Sequence, residues 1–378
     1  MIDENDLQKI KDLQRQMKDK INIDPLQSGG ILTEKGHKAL LEWGSGYSVC
    51  DFCKGRLDKI ENPPISYFVG KLLPEFLGAD VARVTNGARE GMFSITHSLK
   101  DRGEYVLLDE NAHYSSYLAA ERSGLEVVEV PNSGEPRYEV EPEGYKEKIE
   151  EVGSEDIALA FLTYPDGNYG NYVDAEKVAD ITNSYDIPFL LNGAYTVGRK
   201  PISMNEIGAD FIVGSGHKSM AASGPVGVLG MKEKWKDVVL RKSQYSEKKE
   251  EELMGCTARG ATVMTLISSF PEVTDRVKEW DQQVEKAQWF IEEAEKLGLE
   301  QLGEKPHRHD LIFFKADPFY EISQEEGRFF LYKELKKRDI WGIKPGLTKQ
   351  FKVSTFAASR DELRKVIDAF SDIIDKYS

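Results

Sequence analysis

The chain has 378 residues, with 65 acidic side chains against 50 basic ones, a net charge of −15 and a pI near 5.1. That length exceeds one small module and points to about two domains, and the acid excess argues against a general nucleic-acid binder, which would be basic. Three cysteines do not make a secreted disulfide framework, so a cytoplasmic setting is expected. No apolar window long enough to span a membrane is present, and Met1 to Lys20 lacks the apolar centre of a signal peptide.

Leu7, Ile10, Leu13 and Met17 fall at helical spacing and predict an amphipathic helix. Residues 22–70 read as irregular, with turn formers at Ser28-Gly29-Gly30, Gly44-Ser45-Gly46 and Pro63-Pro64. The pair Cys50-Asp51-Phe52-Cys53 sits in that stretch. Short apolar runs then predict strands at Val81–Thr85, Tyr105–Asp109, Glu126–Val130, Ile157–Thr163, Pro188–Asn192, Asp210–Gly214 and Gly227–Gly230. Helical patterns lie between them at Arg89–Lys100, Tyr114–Ser123, Gly144–Glu151 and Asp174–Tyr185. Such alternation makes an α/β fold, a mainly parallel sheet covered by helices on both faces.

Beyond Gly260 the pattern changes. A long helix over Val273–Leu297, a strand Leu311–Lys315, a helix near Gln324–Arg338, a strand near Gln350–Ser354 and a closing helix Arg360–Lys376 predict a smaller α+β domain. The expected division is an N-terminal segment 1–70 with the helix and the cysteine-bearing loop, a large domain 71–265 and a small C-terminal domain 266–378.

Four motifs fall at the ends of predicted strands, where open α/β sheets bind ligands. Thr85-Asn86-Gly87-Ala88-Arg89 is a glycine turn opening a helix, whose free N–H groups can hold a phosphate. Asn111-Ala112-His113-Tyr114 follows the second strand, Asn192-Gly193-Ala194-Tyr195 ends the fifth, and Ser215-Gly216-His217-Lys218 ends the sixth. Each alone has an ordinary structural reading as a cap or surface group. Together their order matters: Lys218 follows Asn192 by 26 residues, and the phosphate-type turn stands a domain-length upstream. Neither G-x-G-x-x-G after a strand nor G-x-x-x-x-G-K-[ST] occurs, which weakens a nucleotide-binding reading.

This layout resembles the fold type I pyridoxal phosphate enzymes. The resemblance implies that Lys218 carries the cofactor and later moves the substrate Cα proton, once desolvation has lowered its pKa. It implies that Gly87, Ala88, Arg89, Ser215, Gly216 and His217 surround the cofactor phosphate, that His113 stacks on the ring and that Asn192 faces the pyridine nitrogen. Most of these enzymes have Asp where this chain has Asn192. A neutral amide holds a protonated ring less well, which suits a substrate with a good leaving group such as phosphate.

Cys50 and Cys53 form one C-x2-C, readable as a metal half-site, a redox pair or a coincidence, and Cys256 stands alone in Met254-Gly255-Cys256-Thr257-Ala258-Arg259-Gly260. With the strand-end motifs, these residues resemble the O-phospho-L-seryl-tRNA:Cys-tRNA synthase family over essentially the whole chain. The resemblance implies β-replacement of the phosphate of tRNA-bound phosphoserine by sulfur, through a dehydroalanyl intermediate. It also implies Cys50, Cys53 and Cys256 as bearers of a persulfide or ligands of an iron–sulfur cluster. Arg89 and Arg259 are candidates for the substrate phosphate. The partners implied are tRNA(Cys) charged with phosphoserine, a sulfur donor, phosphoseryl-tRNA synthetase and a second copy in a homodimer, with no membrane.

Two other readings use the same motifs: a cysteine desulfurase or selenocysteine lyase acting on a free amino acid, and a non-catalytic tRNA-binding or assembly subunit. The first usually carries one catalytic cysteine late in the chain, and the intact Lys218 speaks against the second. For tRNA the charge of −15 must be offset locally. The candidate basic patches are Lys54-Gly55-Arg56, Arg241-Lys242, Lys248-Lys249, His307-Arg308-His309 and Lys336-Lys337-Arg338.

Overall fold

The computed structural model describes residues 20–26, 28–45, 64–255 and 260–377. The predicted helix over Leu7–Met17, all three cysteines, Arg259 and the Lys54–Arg56 patch lie outside them.

In chain order the large domain holds α1 (Glu34–Trp43), β1 (Val81–Thr85), α2 (Ala88–Leu99), β2 (Tyr105–Asp109), α3 (Tyr114–Ser123), β3 (Glu126–Val130), α4 (Pro142–Val152), β4 (Ile157–Thr163), α5 (Ala175–Ser184), β5 (Phe189–Asn192), β6 (Phe211–Ser215), the single turn α6 (Gly216–Ser219), β7 (Gly227–Met231) and α7 (Ala261–Arg276). The small domain holds α8 (Trp280–Glu295), β8 (Glu300–Leu302), β9 (Leu311–Lys315), α9 (Asp317–Glu326), α10 (Phe330–Lys337), β10 (Gln350–Ser354) and α11 (Arg360–Tyr377).

The large sheet runs β1-β7-β6-β5-β4-β2-β3. Its pairings are parallel except those of β7, which is antiparallel to both β1 and β6. Every residue of β4 is buried, the signature of a strand covered on both faces. Alternate residues serve the two faces. Leu190 and Phe211 join Met92, Ile95 and Ala119 on the α2/α3 side, whereas Leu191 and Ile212 join Tyr145, Val178 and Val263 on the other. The small domain is an antiparallel β8-β9-β10 sheet with helices packed on it. Ile21–Asn22 pairs in parallel with Ile340–Trp341, so the N-terminal segment joins the small-domain core through Ile23.

Three stretches differ from the sequence expectation. Within 22–70, read as irregular, lie α1 and a helical run from Ile65 to Leu77 with a π turn at Phe68–Leu72. Helix α1 buries only Gly36 and Ala39, so its apolar stripe is thin; Thr33 caps it by accepting from the Gly36 amide at 3.0 Å. The long helix expected over Val273–Leu297 is two helices, α7 and α8, joined by a tight turn at Val277–Glu279. The break has a packing cause. Val263, Leu266 and Phe270 enter the large-domain core, whereas Ala287, Phe290 and Ile291 enter the small-domain core. The helix expected near Gln324–Arg338 is also two, α9 and α10, divided at Gly327, whose φ of +80° suits glycine alone.

Candidate active site

The C-terminal ends of the parallel strands open on one cavity of about 1020 Å³ between the two domains. That is at the upper end of the range for small-molecule sites. Gly87, Ala88, Arg89, His113, Asn192, Ser215, His217 and Lys218 all line it; Gly216, alone among the described candidate residues, does not. Gly216 acts from behind, since a Cβ there would lie 2.8 Å from the Val226 side chain.

Thr85 donates its hydroxyl to the Gly87 carbonyl at 2.9 Å, and Asn86 is held by the Glu90 carboxylate, so the turn before α2 is fixed. Gly87 has a φ of +109°. Gly227 of β7 lets it approach, because a Cβ at Gly227 would sit 2.4 Å from the Gly87 carbonyl carbon. The Gly87, Ala88 and Arg89 amides donate to no backbone carbonyl among the described residues, which leaves a helix N-terminus open to an anion. His217 stands beside it, with Nδ1 3.0 Å from the Val226 carbonyl oxygen and 3.5 Å from Ser215 Oγ.

Lys218 Nζ lies over the Tyr195 ring, 4.9 Å from its centroid. Burial, and then the charges of Arg199, Arg89 and Lys352, lower its pKa to about 8. A lysine with that pKa supplies a useful fraction of neutral amine near neutral pH. His113 caps α3, its Nδ1 2.7 Å from Ser115 Oγ, with the Tyr114 ring 4.2 Å away. Burial, then Lys218, Lys352 and Arg89, lower its pKa to about 4, so it is neutral. Asn192 is 3% exposed and turns its Oδ1 toward the Ala194 amide at 3.4 Å; its Nδ2 finds no acceptor among the described residues. Thr163, its partner across the β4–β5 ladder, has a buried hydroxyl without a hydrogen bond.

Several groups here escape sequence reading. Tyr195 belongs to a quoted motif, but nothing in the motif marks it as the surface under Lys218. Lys352, on β10, crosses from the small domain to the Gly167 carbonyl at 2.9 Å and to Asn168 Oδ1 at 3.1 Å. Arg199, fully buried, pairs with fully buried Asp310 at 2.5 Å and donates to the Lys218 carbonyl at 3.2 Å. Ser28 and Ser354 complete this junction, and Arg199 Nε meets Ser219 Oγ at 3.1 Å. The Ser28-Gly29-Gly30 turn packs on the backbone bearing the lysine: a Cβ at Gly30 would lie 1.8 Å from the His217 carbonyl oxygen. The turn signal at Ser28-Gly29-Gly30 was visible; its tertiary reason was not.

The cavity is thus lined by a helix N-terminus with open amides, a half-buried lysine, a neutral histidine and an unpaired Asn192 amide. These residues fit pyridoxal phosphate: the cradle and His217 would hold the phosphate, the Lys218 amine would take the carbonyl, and the unpartnered Asn192 amide would meet the ring nitrogen. Fold and site define a fold type I pyridoxal phosphate enzyme.

A family model described as O-phosphoseryl-tRNA(Sec) selenium transferase, SepSecS, matches residues 69–375. An O-phospho-L-seryl-tRNA:Cys-tRNA synthase of Methanosarcina acetivorans is 60% identical over all of this chain and 99% of its own length. One of Methanocaldococcus jannaschii is 47% identical over 98% and 99%. The crystal structure of a SepCysS–SepCysE N-terminal domain complex superposes with a TM-score of 0.93 at 43% identity, covering 100% of both chains. A cysteine desulfurase of Thermococcus onnurineus, 15% identical with a TM-score of 0.76, shares the fold. The chain belongs to the O-phospho-L-seryl-tRNA:Cys-tRNA synthase family.

Proposed function

We propose that this chain binds pyridoxal phosphate through Lys218 and converts O-phospho-L-seryl-tRNA(Cys) to L-cysteinyl-tRNA(Cys). The substrate's Cβ–O bond to phosphate breaks and a Cβ–S bond forms. With sulfide as the sulfur source the exchange is redox-neutral and releases inorganic phosphate. The observation that supports the reading is the cavity itself, lined together by the open N-terminus of α2, Asn192, a lysine of lowered pKa and small-domain cations.

The cofactor, when bound, would act as the electron sink for the bond changes at Cα and Cβ. The protein does the rest. Lys218 Nζ, neutral in part near pH 8, accepts the Cα proton. The Tyr195 ring and the Arg199 bond to the Lys218 carbonyl keep that amine aimed into the cavity. Neutral His113 covers the ring without adding a positive charge. Arg89 and Lys352 face the same space, where the leaving phosphate gathers negative charge. Asn192 donates an uncharged amide, adequate for a leaving group as good as phosphate.

Carriage of sulfur on Cys50, Cys53 and Cys256, as a persulfide or on an iron–sulfur cluster, rests on the sequence, since all three lie outside the described residues. A phosphate role for Arg259 has the same footing. A homodimer, the phosphoseryl-tRNA synthetase partnership and a cytoplasmic setting, which keeps such thiols reduced, complete the reading. No helix among the described residues is long and apolar enough to cross a membrane. The test is phosphate release from phosphoseryl-tRNA in the presence of sulfide. No release would sink the reading, and alanine formed from free cysteine would favour a desulfurase.

A further inference from the structure

The cavity is larger than a cofactor and one amino acid need, and its outer wall is a distinct surface. Two small-domain segments form it. From α9 and the turn after it come Tyr320, Gln324 and Arg328; from the loop before β10 come Lys344, Leu347 and Lys349. All six are exposed. The Arg328 guanidinium lies 4.7 Å over the exposed Phe329 ring, and a Cβ at Gly346 would meet both side chains at 3.7 Å, so the two segments touch here. Lys349 Nζ stands 5.6 Å from the centroid of the Tyr320 ring, which is 41% exposed. Among the described residues neither the Arg328 nor the Lys349 side chain has an ion-pair or hydrogen-bond partner. Lys344 faces Asp24, whose pKa burial raises and Lys344 opposes. The acidic side chains of α9, Glu321, Glu325 and Glu326, line a separate hollow on its other side.

Three of the basic patches visible in the sequence contrast with this rim. Arg241 pairs with Glu251 and Glu252, Lys242 with Glu250, Arg308 with Glu304, and Lys337 and Arg338 with Glu334. His307 and His309 are buried. Those paired cations are neutralised within the fold, whereas the Arg328 and Lys349 side chains, unpaired among the described residues, line the same cavity as Lys218.

We propose that this rim binds the unpaired 3′-terminal nucleotides of the aminoacyl-tRNA, with Tyr320 stacking on a base and Arg328, Lys344 and Lys349 on the phosphates. The inference rests on the reading of the substrate as tRNA-bound phosphoserine. The rim residues line the same cavity as Lys218, so an amino acid esterified to the 3′ end and seated at the lysine brings the last nucleotides within their reach. Exposed rings interleaved with free cations suit unpaired bases, which offer both a π-face and a phosphate. The surface also reconciles a net charge of −15 with a nucleic-acid substrate, because affinity follows local potential.

The test uses the full chain with cofactor and a tRNA(Cys) transcript, intact or lacking its unpaired 3′ nucleotides. Tyr320→Ala should weaken binding of intact tRNA roughly 5- to 150-fold, the range for loss of one base–aromatic stack. Arg328→Ser with Lys349→Ser should lower the slope of log K against log salt by about 0.7 per lost phosphate contact. Both variants should bind the truncated tRNA as the wild type does, and keep the wild-type cofactor absorbance. Unchanged affinity for intact tRNA, or equal losses on intact and truncated tRNA, would overturn the inference while leaving the reaction assignment standing. A wild-type protein that releases no phosphate from phosphoseryl-tRNA would overturn the assignment itself. Loss of a protein partner with tRNA affinity intact would mark the rim as a protein-docking surface and overturn the inference.

Discussion

Replacing Asp310 by Asn should be among the most damaging single changes in the molecule, although Asp310 faces no substrate. The Arg199–Asp310 pair is fully buried, and Ser28, Ser354 and the Lys218 carbonyl are tied to it. Removing one partner of such a pair leaves an uncompensated buried charge and costs about 3–5 kcal/mol. With a urea m-value of about 3 kcal/mol per M, the unfolding midpoint should fall by about 1–1.7 M. The double replacement Arg199→Met with Asp310→Leu buries no charge, so it should be less destabilised than Asp310→Asn alone. Urea titration followed by near-ultraviolet circular dichroism reads both variants. A midpoint shift under about 0.3 M for Asp310→Asn, or a double variant destabilised more than Asp310→Asn, would refute the reasoning. The pH dependence has a definite sign. Burial alone would raise the Asp310 carboxyl, but Arg199, His309 and Ser354 hold it down at about 2. The pair's contribution is therefore present above the unfolded carboxylate's 3.8 and is lost as pH falls through about 2.

Four further outcomes follow from the site. Lys218→Ala should abolish borohydride trapping of cofactor while leaving the fold intact; trapped cofactor at another lysine would contradict the assignment. Uptake of cofactor by the apoprotein should speed up as pH rises through about 8, where Lys218 loses its proton, and a flat rate between pH 7 and 9 would count against the lowered pKa. Asn192→Asp should raise the fraction of cofactor with a protonated ring, read by absorbance titration, and no change would show that this side chain does not face the ring nitrogen. Gly30→Ala must displace the His217 backbone, so its cost should exceed the ordinary 1–3 kcal/mol of overpacking and cofactor affinity should fall; a variant as stable as wild type would contradict that packing.

The strands were legible because each is a short apolar run closed by turn residues, and a parallel sheet buried on both faces demands such runs. Four of the seven strands of the large sheet begin and end where the pattern placed them. The strand-end motifs were legible for the same reason, since a polar group after such a run lies at the ligand edge. Helix breaks were not. A 3.6-residue stripe shows that α7 and α8 each have an apolar face, but not that the faces serve different cores. Nor were the cross-domain groups legible. Arg199 meets Asp310 across 111 residues and Lys352 meets Gly167 across 185, separations at which no local pattern carries information. Pairing within the basic patches was legible in part, since Glu304 and Glu334 stand three or four residues from Arg308, Lys337 and Arg338 on the same turn or helix.

The central claim is that Lys218 and this cavity exchange phosphate for sulfur on tRNA-bound phosphoserine. Phosphate and cysteinyl-tRNA should be counted together in single turnovers, with sulfide present and the protein in excess over phosphoseryl-tRNA. The account predicts one cysteinyl-tRNA for each phosphate with the wild type, and neither product with Lys218→Ala. Both products at wild-type rate in the lysine variant, or phosphate released without sulfur incorporated, would contradict it.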